Sequence, residues 1–265
     1  MQRQIFLTAR SACLLTAIAA ATLVISCGGS KEMLSETAQS KFEKAKRRYD
    51  AGRYLEATEQ FKNLLALFPG SKFAEPATFF LGKSRFEEKE YLLAEVDFHR
   101  IVRDFPRGTY AEEATFMLGM CVFKQRRPFQ FDQSATERAI LLFGAYLSTY
   151  PAGKFVEDAQ ERLAECRSVL AEKLHANGLL YLKLSKPKAA RLSFEEVLEK
   201  YDDLPWADRA LVGIARSYEQ ERNWAKAAEL YEGVVEKGGD EEALATARDR
   251  LRKIKGKTGE SGDAG

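Results

Sequence analysis

The chain repeats itself at a fixed interval. Tyr54, Ala57, Phe61 and Pro69 return 37 residues later as Tyr91, Ala94, Phe98 and Pro106. The stretch ahead of each block repeats as well: Ala77, Leu81 and Gly82 become Ala114, Leu118 and Gly119. A period of this size means stacked supersecondary units, none of which can bury its apolar face alone. It also favours an extended binding surface over a catalytic pocket.

Followed along the chain, the repeat resolves into pairs of helices. The second helix of each pair carries an Ala, an aromatic four residues on, and two aliphatics. The series runs Ala57/Phe61/Leu64/Leu65, Ala94/Phe98/Ile101/Val102, Ala139/Phe143/Tyr146/Leu147, Ala190/Phe194/Val197/Leu198 and Ala227/Tyr231/Val234/Val235. Spacings of three and four place these side chains on one helix face. Pro69, Pro106 and Pro151 stop their helices, because proline cannot continue one. Gly82, Ala94, Phe98 and Pro106 match the small, Ala, Phe and Pro positions of the tetratricopeptide repeat, with a period slightly longer than usual. The fold expected is all-α: a right-handed α-solenoid of five tetratricopeptide-like helix pairs over residues 37–238, with a capping helix from Asp240 to Ile254. The polar, Gly-rich tail from Lys255 to Gly265 is expected to be disordered.

Two irregularities interrupt the period. Eight extra residues between repeats 2 and 3 fall in a loop at Arg126–Gln133. In repeat 4 no breaker occurs from Val156 to Asn177, which predicts one long helix from Lys154 to Leu184. That helix divides the chain into a front half, residues 37–153, expected to bind clients, and a back half, residues 154–254, expected to dock a partner.

The N-terminus reads as an export signal. Arg3 and Arg10 precede an uncharged apolar run from Ala12 to Ile25, and Val24-Ile25-Ser26-Cys27 resembles a lipobox. Residues 1–26 are then a signal peptide, Cys27 is the lipidated residue, and residues 27–36 are a lipidated tether. Several acyl chains on one Cys would anchor stably where one is marginal. Gly28 after the Cys, rather than Asp, favours the outer membrane.

Charge excludes a nucleic-acid partner. The chain has 41 basic and 39 acidic residues, and the two basic residues of the signal leave 39 against 39. The cluster Lys41, Lys44, Lys46, Arg47 and Arg48 lies on one helix and reads as a solvated face. Cys121 and Cys166 stand at small-residue helix positions and are expected to be buried free thiols. The two histidines, His99 and His175, lie in different repeats, and no Cys or His pair has metal spacing. Neither a phosphate loop nor a nucleophile elbow occurs. The carboxylates are expected on solvent faces, in i,i+4 pairs. No enzyme activity, metal or cofactor is expected beyond the lipid on Cys27.

In tetratricopeptide arrays the first helix of each pair lines the concave side. There, two helical turns apart, stand Phe42 and Tyr49, Phe79 and Phe86, Phe116 and Phe123, with Lys46, Lys83 and Met120 between them. Repeat 4 has His175 and Leu182 instead, and repeat 5 Val212 and Glu219. An aromatic stripe usually packs between helices. As a groove edged by lysines, it would suit an extended peptide with aromatic side chains and a free carboxylate.

At this point the chain resembles the BamD (ComL) family of outer-membrane β-barrel assembly lipoproteins. The resemblance rests on Cys27-Gly-Gly-Ser-Lys-Glu32, the turn Tyr49-Asp-Ala-Gly-Arg-Tyr54, and Phe131-Asp-Gln133 before Ala139–Phe143. It rests also on the five-repeat layout with its lengthened third and fourth repeats. It implies a lipid-anchored, non-enzymatic scaffold on the periplasmic face of the outer membrane. Its C-terminal half would hold a BamA-like barrel protein, with other assembly lipoproteins as further partners. Its N-terminal repeats would receive aromatic-ended signals of unfolded outer-membrane clients. The alternative is a periplasmic repeat scaffold of cell-wall or envelope-division machinery, whose members usually carry an N-terminal coiled coil and lack a lipobox.

Overall fold

The computed structural model describes residues 37–260, and all regular structure among them is helical. Five antiparallel pairs follow one another: α1 (Ala38–Asp50) with α2 (Tyr54–Leu67), and α3 (Ala74–Glu87) with α4 (Tyr91–Asp104). Next come α5 (Ala111–Phe123) with α6 (Ser134–Thr149), and α7 (Val156–Lys183) with α8 (Pro187–Lys200). The last pair is α9 (Trp206–Gln220) with α10 (Trp224–Lys237), and α11 (Glu241–Glu260) closes the stack. The five expected pairs and their cap are therefore present. The signal segment, Cys27 and the tether lie outside the described residues.

Each pair is locked by one ring. Phe61, Phe98, Phe143, Phe194 and Tyr231 are all fully buried. Three of them seat on a glycine of the preceding helix. A Cβ at Gly82 would stand 3.0 Å from Phe98, one at Gly119 2.6 Å from Phe143, and one at Gly178 2.5 Å from Phe194. Repeats 1 and 5 put Ala45 and Ala215, both fully buried, at the matching positions. The missing side chain lets the helices close on the ring, and each buried ring contributes about 2–3 kcal/mol from area alone.

The first helices of neighbouring pairs touch: α1 meets α3, α5 meets α7, and α9 meets both α7 and α11. The second helices pack on first helices. The first helices therefore form the inner side of the curve. Their tight turns use the left-handed backbone at Gly52, Lys89, Ser185 and Arg222. Each turn closes with a backbone bond spanning six residues, such as Arg53 N to Arg48 O at 2.9 Å.

The long helix appears as expected, with 28 residues from Val156 to Lys183. Phe143 and Phe194 are 51 residues apart, 14 more than the period of 37, of which 14 residues make about four helical turns. The inserted length returns the helix to nearly the same face, some 21 Å further along its axis. Ala159 and Cys166 from its first half belong to the core of repeats 2 and 3, whereas Ala171 and Leu182 belong to that of repeat 4. Cys121 and Cys166 are free and buried, and burial pushes their thiols up to about 12 and about 11.

Two expectations are corrected. The capping helix runs to Glu260, beyond Ile254, where disorder was expected to begin. Buried Ile254 and the Lys255–Glu232 contact at 3.6 Å anchor it as it enters the glycine-containing stretch. Nor are the carboxylates all on solvent faces, since Asp97 and Asp208 are buried. Asp97 pairs with Arg85 at 2.7 Å. Glu75 accepts from Tyr110 N at 2.9 Å, Glu112 from Tyr146 Oη at 3.0 Å, and Asp208 from Asp240 N at 3.1 Å. The donors stand in or beside the turns between repeats. Backbone N–H groups ahead of a helix lack partners within it, and Glu75 and Asp208 supply them from the previous repeat.

Gly119→Ala is expected to cost about 1–3 kcal/mol in urea denaturation, because the added methyl meets Phe143. Gly144→Ala has open space around its new carbon and is expected to be neutral or stabilising by up to about 1 kcal/mol.

Candidate functional site

The inner side carries the aromatic stripe, and the structure divides it into two kinds of ring. The first ring of each repeat stacks on the aromatic residue that opens the next repeat. Phe42 meets Phe73 at 5.3 Å, Phe79 meets Tyr110 at 4.4 Å, and Phe116 meets Phe155 at 4.7 Å. His175 meets Trp206 at 5.4 Å in the same relation. Phe73, Tyr110 and Phe155 are the N-cap residues of α3, α5 and α7, and Trp206 begins α9. These contacts staple repeat to repeat. Phe79 and Phe116 are buried in this way, so their role as open groove wall is corrected to packing. The stripe of phenylalanines ends after repeat 3, but the staple continues into repeat 4 through His175.

The second rings face their own turns. Tyr49 lies 5.5 Å from Tyr54, and Phe86 lies 5.2 Å from Tyr91. Both remain half-buried, as does Met120. Phe123 is buried, 6.1 Å from Phe143 and capped by the Arg126 guanidinium at 3.5 Å. It too is packing.

What remains accessible centres on Phe80, a residue the seven-residue spacing did not single out. It is half-buried, and five rings surround it. Tyr49 and Phe79 lie edge-on at 5.2 and 5.3 Å, Tyr110 at 5.9 Å, Phe61 at 6.1 Å and Phe42 at 6.2 Å. Lys46 Nζ sits 4.7 Å above its face. Edge-on pairs add about 0.5–1.5 kcal/mol each beyond burial. The patch is therefore held in place before any ligand arrives.

Its charges are already paired. Lys46 bonds Asp50 one turn on, and Lys83 meets Glu113 at 3.1 Å. The Tyr49 hydroxyl is pushed up to about 12, by burial first and then by the Glu87 carboxylate. Each lysine thus already has a carboxylate partner within the protein. The patch offers ring faces and edges with a rim of neutralised charge.

A stack of helix pairs with this inner surface defines the class of tetratricopeptide-like repeat proteins. Solved structures similar in fold include a tetratricopeptide repeat protein from Parabacteroides merdae, 16% identical, with 84% of this chain and 75% of that one covered and a TM-score of 0.37. Another is the TPR2AB domain of yeast Sti1 in its pHSP90 complex, 14% identical, with 84% of each chain covered and a TM-score of 0.46. No curated protein matches the chain. The family model YfiO, described as outer membrane lipoprotein, matches residues 35–234. The chain belongs to this family, the one its sequence resembles under the name BamD. Among the described residues no helix is long and apolar enough to cross a membrane.

Because the Tyr110 ring covers Phe79, Tyr110→Ala is expected to lower stability by about 1–3 kcal/mol in thermal unfolding.

Proposed function

We propose that this protein is a lipid-anchored, non-enzymatic scaffold of outer-membrane β-barrel assembly. Its front repeats hold aromatic-bearing segments of unfolded barrel clients, and its back repeats dock a BamA-like barrel subunit. Family membership supports the setting. The observation that carries the client reading is the Phe80 patch, a preformed and half-buried set of rings on the inner side. Preformed rings bind with little ordering cost, and buried aromatic anchors dominate the energetics of such surfaces. Recognition is by stacking on client side chains, with the paired lysines acting as rim.

The anchor reading rests on Cys27 in its lipobox-like context. The acyl chains tether the solenoid to the inner leaflet of the outer membrane, and the residues after Cys27 set its reach.

Tyr49→Ala with Phe80→Ala is expected to weaken binding of a peptide ending in an aromatic residue by at least tenfold in fluorescence anisotropy. Phe131→Ala, in the lengthened loop, is expected to leave it unchanged. Equal affinities, with the helical signal retained, would refute the client site. Separately, Cys27→Ser is expected to move the protein from the membrane pellet to the soluble fraction, and continued sedimentation with membranes would refute the lipid anchor.

A further inference from the structure

The end of α7 is apolar on both sides. Leu182 belongs to the core of repeat 4 and is buried. Leu180 and Leu184 share the opposite face, with Tyr181 beside them, and the three are 53%, 54% and 37% exposed. A helix that is apolar all round is expected to be covered all round. Among the described residues nothing covers this side.

The length of α7 sets where that face lies. The loop of repeat 3 runs alongside the middle of the helix: Arg126 meets Glu165 at 3.4 Å, and Lys173 Nζ donates to Phe131 O at 3.0 Å. Leu184 comes eleven residues after Lys173, which carries it about 16 Å further along the axis. The turn Leu184–Lys186 therefore projects beyond the edge of repeat 3. The turn of repeat 5 stands beside it, since Gln220 Nε2 donates to Leu182 O at 2.9 Å and Arg191 pairs with Glu221 at 2.9 Å.

This tip is basic. No acidic residue occurs from Lys173 to Phe194. Lys183, Lys186 and Lys188 are exposed, as is Arg222 in the neighbouring turn, and none of the four has an ion pair among the described residues. Together with Arg191 they stand against one carboxylate, Glu221. At the border Glu219 is paired with Arg250 at 3.4 Å, and Lys226 with Glu229 at 2.7 Å, so neither changes the balance.

We propose that the tip of repeat 4 docks on an anionic phospholipid surface. Leu180, Tyr181 and Leu184 enter the boundary between headgroups and acyl chains, and Lys183, Lys186 and Lys188 meet the phosphates. Tyrosine suits headgroup depth, and lysine stems lie along apolar surface while their charges reach outward. A docked protein would have to set acidic side chains against three flexible point charges, whereas headgroups meet them from any angle. Membership of a family of outer membrane lipoproteins brings such a surface close to the chain. Neither the Phe80 patch nor acyl chains on Cys27 take part.

The test uses residues 28–265, which hold every described helix and lack Cys27, in sedimentation with vesicles. Phosphatidylcholine vesicles containing phosphatidylglycerol are expected to bind at least about tenfold more tightly than phosphatidylcholine alone, and less tightly as salt rises. Leu180→Ser with Leu184→Ser is expected to lower that affinity at least about tenfold. Lys183→Gln with Lys186→Gln and Lys188→Gln is expected to do the same. All five side chains are exposed, so the helical signal is expected to persist. Leu55→Ser, at an equally exposed leucine of α2, is expected to change nothing. Emission from Tyr181→Trp is expected to shift to the blue when the anionic vesicles are added. Absence of binding to these vesicles, binding that survives both sets of substitutions, or an unshifted emission would overturn the proposal and leave this face to a protein partner. Binding here is expected to be unaffected by Tyr49→Ala with Phe80→Ala, and the tested chain has no acyl anchor, so the three sites fail separately.

Discussion

The architecture depends on how closely one ring can approach one backbone. Phe98, Phe143 and Phe194 reach their partner helices only because Gly82, Gly119 and Gly178 present no side chain. That approach sets the distance within a pair, and the distance sets where the next pair can lie. Glycine inside a helix costs about 1 kcal/mol against alanine. A fully buried phenylalanine returns more than that. Repeats 1 and 5 keep alanine at this position, so the closest approach is concentrated in the middle of the stack.

Between pairs a different set of contacts takes over. An aromatic side chain opens each of α3, α5, α7 and α9 and covers a ring of the repeat before it. Carboxylates such as Glu75 and Asp208 then tie the intervening turns to the preceding first helix. Burial within a repeat and stacking between repeats are thus carried by separate side chains. The curve of the inner surface follows from both, and the Phe80 patch sits where two such staples come side by side.

Much of this was legible in the chain. The Ala, the aromatic and the first following aliphatic or Tyr of each set are fully buried, and the last member is half-buried, because helical periodicity and burial report the same face. The length of α7 was legible from the lack of a breaker. The aromatic stripe was legible as a pattern but not as a role. A spacing of seven shows that Phe79 and Phe86 share a face, and cannot show that Tyr110 covers the first of them. The missing signal was a spacing of 31, which links Phe42 to Phe73, Phe79 to Tyr110 and His175 to Trp206. Phe80 itself has no counterpart in rank, since Met117 takes its place one repeat later and is buried.

The four added turns of α7 make a single unbroken rod common to both halves. A flexible joint would let the front and back surfaces drift, and two ligands held on them would search for each other at a low local concentration. A rod removes that search. It fixes both the separation and the angle between the front and back repeats. The residues that lengthen α7 thereby act as a gauge: adding or removing two of them would swing one half by roughly 200° about the rod, since each residue turns a helix by about 100°.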